Sequence, residues 1–222
     1  MKLTVVAATG GIGEQVLEQA LAAGHEVTAV VRNPGRLPVT PARVVAADLA
    51  TADPSVLLGA VEGADAVLSG LGPRSKAEAG VAWHGTRAIT QVMDAAGVRR
   101  IVVVSAAPVG TVATPARPHP PRRAPGDGFV LPALAYPVLR AAFGRSYADL
   151  AQMEDMLRGS DLEWTAVRPV RLTDRPLTGR YRTAIGHSVR RGLSISRADV
   201  AHCMLRAVTD PATCRQTVGI AY

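Results

Sequence analysis

Aromatic residues make up only 4% of the 222 positions, so any core must be built from Ala, Val, Leu and Ile rather than from stacked rings. Cysteine is nearly absent: Cys203 and Cys214 are the only two, with neither a C-x-x-C motif nor a histidine cluster at zinc spacing. That excludes a disulfide framework as the organising principle, and no metal site is expected. No run of about 18 uninterrupted apolar residues occurs, which excludes a membrane-spanning helix. The opening segment carries Lys2 and a short apolar run, but glycines and Glu14 follow before any adequate signal-peptide core. A cytoplasmic protein is therefore expected.

Lysine is as scarce as cysteine. Of 25 basic residues only Lys2 and Lys76 are lysines, and the arginines are dispersed with no run beyond two. The formal charge of +7 and pI near 10.2 invite a nucleic-acid reading. Scattered arginine instead describes a solvated, salt-bridged surface, so neither nucleic acid nor membrane is expected as a partner; a small-molecule substrate is. With 48% apolar and 19% charged residues, the chain can fill one core, and residues 1–222 read as a single domain.

The first hundred residues alternate β-branched runs with helical patterns. Strands are expected at 3–7, 26–31, 43–47, 64–69 and 100–105. Helices are expected from the glycines to about 23, at 54–61 and at 81–96. The strands are continuous apolar runs such as Ile101-Val102-Val103-Val104, as required when helices cover both sheet faces. Repeated β-α units with short connections predict a Rossmann-type, doubly wound parallel α/β sheet. Six prolines between positions 108 and 128 then mark a long, irregular, mobile insertion, taken as 108–145. Within it, 129–143 is apolar but broken by Pro132 and Pro137, suiting either a lid over substrate or packing on the core. Regularity returns with a helix at 147–158, a strand at 163–167, a helix opened by the S-x-x-D pattern of Ser196 and Asp199, and a last strand at 217–221.

The sharpest signal is Ala7-Ala8-Thr9-Gly10-Gly11-Ile12-Gly13, directly after a strand and opening a helix. Glycine lets backbone approach a pyrophosphate, and the amides of the helix N-terminus favour the anion. In the G-x-x-G-x-x-G spacing the first glycine is replaced by Ala7, whose methyl narrows the turn. An acidic residue about 20 positions on would bind the ribose 2′-hydroxyl of NAD. Here that place reads Val31-Arg32-Asn33-Pro34-Gly35-Arg36. Two guanidinium groups suit a 2′-phosphate, pointing to NADP(H); the plainer alternative is one surface arginine and one salt-bridged arginine. Asp48-Leu49, Gly70-Leu71-Gly72 and Ser105-Ala106-Ala107 all follow strands, on the rim where open α/β sheets bind ligands.

Those blocks, with Asp161-Leu162-Glu163-Trp164-Thr165-Ala166-Val167-Arg168-Pro169, Arg175-Pro176-Leu177-Thr178-Gly179-Arg180-Tyr181 and Ser194-Ile195-Ser196-Arg197-Ala198-Asp199-Val200-Ala201, resemble an atypical short-chain dehydrogenase/reductase. The group is the NAD(P)H-binding one that holds biliverdin-IX-beta reductase (flavin reductase) and NmrA-like proteins. The resemblance covers most of the chain outside roughly 108–145. It implies that Thr9, Gly10, Gly11, Ile12 and Gly13 hold the pyrophosphate, and that Arg32 and Arg36 take the 2′-phosphate. It further implies that Asp48 and Leu49 flank adenine, while Leu71, Gly72, Ser105, Ala106, Pro169 and Val170 line the nicotinamide. Arg74 and Arg171 fall at rim positions that contact cofactor or substrate in the group, although arginine is not the usual type at 171.

The Tyr-x-x-x-Lys pair of typical short-chain dehydrogenases is missing: Tyr147 is followed at the fourth place by Ala151, and Tyr136 by Arg140. Without a lysine to lower a tyrosine pKa, carbonyl reduction by that route is disfavoured. A flavin, quinone or linear tetrapyrrole asks less of a protein acid, because solvent can deliver the proton. Ser105 is the expected hydroxyl donor beside the nicotinamide, unless it only bonds backbone at a strand end. His84, expected near the cleft, is either a proton donor or an idle exposed histidine; His187 and His202 have no carboxylate partner at a recognisable spacing, Glu154 and Asp155 read as a solvated helix face, and Met153 and Met156 as core filler. The expected function is an NADPH-dependent oxidoreductase acting on a flat conjugated acceptor. The alternatives are a catalytically silent NADP-binding sensor or a non-standard enzyme of secondary metabolism.

Overall fold

The structure, a computed structural model, describes residues 1–73, 78–121 and 136–222, with backbone alone for 136–142. Arg74 and most of the apolar segment 129–143 therefore lie outside the described residues or their side chains.

The β-branched runs form the strands. β1 (Lys2–Val6), β2 (Glu26–Val31), β3 (Arg43–Ala46), β4 (Ala66–Ser69), β5 (Arg100–Val104) and β6 (Glu163–Pro169) join β10 (Gln216–Ala221) in one parallel array. The full order is β3-β2-β1-β4-β5-β6-β10-β8, where β8 (Arg182–Ile185) is an antiparallel edge strand. β7 (Arg171–Thr173) and β9 (Ser194–Ser196) pair separately beside the sheet. These last three short strands carry no apolar run, and sequence periodicity did not mark them.

Helices α1 (Gly11–Ala22) and α5 (Arg197–Thr209) cover one face; α2 (Pro54–Val61), α3 (Val81–Ala95) and α4 (Tyr136–Arg158) cover the other. β5 shows why its strand is apolar throughout. Val102 and Val104 pack with Val16 and Met204 on the first face, whereas Ile101 and Val103 pack with Ile89 and Met153 on the second. The sheet is thus the expected doubly wound α/β architecture, parallel except at its β8 edge.

α4 begins at Tyr136, eleven positions before the expected start at 147. Pro137 lies in its first turn, where the missing N–H has no intrahelical partner to lose, so the proline that looked like an interruption is compatible with helix initiation. The stretch after β5 is also more ordered at its start than its prolines suggest: Ala107–Thr111 is a buried 3-10 turn packed against the core.

One buried cation braces the sheet. Arg100 of β5, 6% exposed, donates to the carbonyls of Ala207 and Val208 at the C-terminal end of α5, and to Thr165 Oγ1 at 2.8 Å and Thr213 Oγ1 at 3.1 Å. Burial lowers its pKa. The helix end supplies orphan carbonyls and partial negative charge, which together receive the guanidinium.

Candidate functional site

The strand order reverses between β1 and β4, and the rim at their carboxyl ends is where such sheets open a crevice. Ala7 leaves β1 with φ +59°, a left-handed turn in which the Gly10 N–H donates to the Ala7 carbonyl at 2.8 Å. Gly10 then caps α1 with no side-chain hydrogen bond, so the first-turn amides keep their capacity for an anion. Thr9, Gly10, Gly11 and Ile12 face the cleft. Gly13 does not: a Cβ there would collide with the Ala7 carbonyl oxygen, and a Cβ on Gly70 would come within 2.8 Å of the Gly13 nitrogen. Gly13 therefore lets α1 press onto β1 and the turn after β4.

At the end of β2, Arg32 and Arg36 border the same cleft, with Asp48 and Leu49 beside them. The expectation of no carboxylate here holds only along the chain. Glu78, from the turn before α3, meets the Arg32 guanidinium at 2.8 Å. Arg36 is exposed, on a 3-10 turn whose Asn33 accepts from the Gly35 N–H at 3.1 Å.

The opposite half of the cleft is walled by Leu71, Gly72, Ser105, Ala106, Pro169, Val170 and Arg171. Gly85 of α3 makes room for this wall, since a Cβ there would stand 2.8 Å from Leu71 and 3.1 Å from Leu49. Nothing lies within 4 Å of a Cβ built on Gly72, leaving open space above it.

Ser105 was expected to donate its hydroxyl toward this space, but its hydrogen is engaged inward, by Glu154 Oε1 at 2.6 Å. Glu154 and Asp155 do not form a solvated face. Glu154 is fully buried and also accepts from Arg168 Nε at 2.8 Å and Arg158 Nη2 at 2.6 Å. Asp155 accepts from Arg158 Nη1 at 2.6 Å and from Thr114. Burial by itself would raise the Glu154 pKa; Arg168, then Arg158 and Ser105, outweigh that and hold it below the usual carboxylate range. Glu154 stays a carboxylate, Ser105 stays its donor, and Ser105 offers lone pairs to the cleft.

Sequence reasoning passed over several further walls. Tyr147 and Leu150 of α4, the half-exposed Phe143, and Val189, Arg191 and Leu193 from the segment before β9 also line the cleft. Burial raises the Tyr147 pKa, so the phenol remains an O–H donor at neutral pH. Ala151, where a lysine would sit, is packed in the core with no exposure. Arg197 reaches over Gly11 from α5. The only local signal for Tyr147 was its residue type; for Arg197 there was none. His84 is exposed and stacks edge-on with Trp83, away from the cleft, and His202 bonds the Tyr181 hydroxyl at 2.7 Å.

The cleft measures about 1400 Å³, above the roughly 300–1,000 Å³ of a single-ligand pocket. That is room for a ligand as extended as a dinucleotide. Its donors suit a dinucleotide: uncapped amides and a guanidinium at one turn, two guanidinium groups at the next strand, and apolar walls beyond. Among the described residues, no three His, Cys, Asp or Glu side chains converge as a metal site, and no helix is long and apolar enough to cross a membrane.

The chain matches a family described as NAD(P)H-binding over residues 7–211. Among solved structures it resembles a Burkholderia pseudomallei protein proposed to be exported, at 29% identity over 100% of both chains and TM-score 0.78. An anaerobilin reductase of Escherichia coli O157:H7 is 24% identical over 100% of this chain and 97% of its own, TM-score 0.74. A short-chain dehydrogenase/reductase of Veillonella parvula in complex with NADP is 18% identical over 100% and 94%, TM-score 0.76. The last two establish likeness of fold.

Proposed function

The chain belongs to the NAD(P)H-binding family, and from that premise we propose that it is an NADPH-dependent reductase of a flat, conjugated small molecule. The observation that carries this reading is that one cleft is lined by the glycine turn, by Arg32 and Ser105, and by the apolar side chains of Phe143, Tyr147 and Leu193. The amides of Gly11 and Ile12 would hold the diphosphate. Arg36, with Arg32 in exchange with Glu78, would receive a 2′-phosphate, which favours NADPH over NADH.

When bound, the reduced nicotinamide supplies hydride. The chain's own residues do the rest. Leu71, Pro169 and Val170 exclude water from one side of the ring site, and Ser105 accepts hydrogen bonds there because Glu154 holds its hydrogen. Tyr147 offers an O–H to the acceptor. With no lysine to lower its pKa it is a weak acid, which suits an acceptor whose proton can come from solvent. The fold is shared at 24% identity with an anaerobilin reductase and with a protein proposed to be an NADH-flavin reductase, which supports tetrapyrroles and flavins alike as acceptor classes.

The test is loss of reduced-nicotinamide absorbance with NADPH and NADH against panels of those three classes. Turnover with at least one class, faster with NADPH, is expected; tight cofactor binding with no turnover on any class would reject the enzyme reading. The buried Ala151 in place of lysine favours, as the second reading, a silent NADP-binding sensor. That reading requires a protein partner whose capture depends on NADP(H).

A further inference from the structure

Arg197 is the first residue of α5, where the helix dipole disfavours a cation. Its backbone is nonetheless held firmly. Ser196 caps the helix, its hydroxyl accepting from the Asp199 N–H at 3.0 Å and donating to the Asp199 carboxylate at 2.9 Å. Asp199 has no exposure, and Gln19 of α1 donates to the Ala198 carbonyl at 2.9 Å. The last turn of α1 and the first turn of α5 are thereby fixed to each other.

From this platform the Arg197 side chain crosses the glycine turn. A Cβ on Gly11 would lie 2.8 Å from its Cδ and 2.9 Å from its Nε, so any side chain there would push the guanidinium arm aside. The guanidinium borders the cleft with Thr9, Gly10 and Gly11, and ends in an ion pair with Asp174, just past β7. Asp174 is 87% exposed and Arg197 33% exposed at the side chain. Such a solvated pair is weak. A diphosphate brings more charge and a geometry that a guanidinium fork matches.

We propose that Arg197 is a phosphate-binding residue for the diphosphate of a dinucleotide, and that Asp174 is its displaceable counter-ion. This rests on the dinucleotide reading above. Arg197 is placed at the diphosphate end of the cleft, whereas Arg32 and Arg36 stand at the β2 end, so the two sets act on different phosphates. Asp174 lowers affinity by competing for the same fork.

Titration calorimetry of NADP⁺, NAD⁺ and 2′-AMP tests this on the full chain and its R197A, R197K, D174N and D174N/R197A variants. R197A should weaken both dinucleotides about tenfold, the loss of one charged hydrogen bond or two, and leave 2′-AMP unchanged. R197K should recover part of the loss. D174N should tighten both dinucleotides by about two- to threefold, and the double variant should lose that gain. Should R197A prove unstable, the D174N gain still decides the matter, because it is read on a folded protein. Unchanged dinucleotide affinity in R197A, an equal loss for 2′-AMP, or weaker binding in D174N overturns the proposal while leaving the dinucleotide reading intact. If the unsubstituted protein binds neither dinucleotide, both fall together.

Discussion

The hydroxyl of Ser105 donates to Glu154 at 2.6 Å, across 49 positions of sequence, and so turns its lone pairs rather than its hydrogen toward the cleft. This assigns two of the cleft hydroxyls opposite roles: Ser105 accepts, Tyr147 donates. Tyr147→Phe should lower turnover about tenfold at unchanged NADPH affinity, less than the roughly 10²-fold or more of an acid with a matched pKa, because Tyr147 is a weak one. Ser105→Ala should mainly weaken cofactor binding. Steady-state kinetics with separate nucleotide titrations checks both, and an unchanged kcat in Tyr147→Phe would remove the donor role.

Glu154 carries a pH dependence of definite sign. Its folded pKa is depressed, so the stability it contributes is complete above the ordinary glutamate value near 4.3 and is lost as pH falls through its lower folded value. Thermal midpoints should be insensitive to this group from pH 5 upward and drop below about pH 4. Glu154→Gln leaves Arg168 and Arg158 without their shared buried carboxylate and should cost about 3 kcal/mol. Differential scanning calorimetry across pH measures both the plateau and its loss in the variant.

Arg32 and Glu78 predict opposed effects on cofactor choice. Arg32 is 55% exposed at its side chain and already paired. Arg32→Ala should therefore weaken NADPH by only about 1–2 kcal/mol, at the modest end of a charged hydrogen bond, and leave NADH unchanged. Glu78→Gln should release Arg32 and improve NADPH alone. Equal changes for both nucleotides would show that this end of the cleft does not read the 2′-phosphate.

Ala7 holds φ +59°, a conformation in which its Cβ is strained. Ala7→Gly should relieve that strain, less the entropy glycine loses on folding, for a net gain of about 0.5–1 kcal/mol. The thermal midpoint should rise by about 1–4 °C on a chain of this length. A fall would mean that the Ala7 methyl contributes more through packing than it costs the turn.

Much of the architecture was readable because its signals are local. The boundaries of β2 and α2 coincide with the apolar periodicity, and the glycine turn falls between strand and helix in the expected order. α4 was misread at its start because proline breaks a helix interior but not a first turn. Glu154 was misread because a glutamate on a helix, even with Arg158 one turn on, is solvated unless another element covers it, here β6 with Arg168. β7 and β9 escaped notice because three-residue strands have no period to detect.

The sequence by itself determined that a Gly-rich turn would link a parallel strand to a helix and that arginines would follow the next strand, since both depend on neighbours in the chain. Only the tertiary structure decided which charges meet. Glu78 reaches Arg32 over 46 positions, and Asp174 reaches Arg197 over 23. Such pairs are set by how the helices seat on the sheet, and charge at close range acts through space without regard to order along the chain.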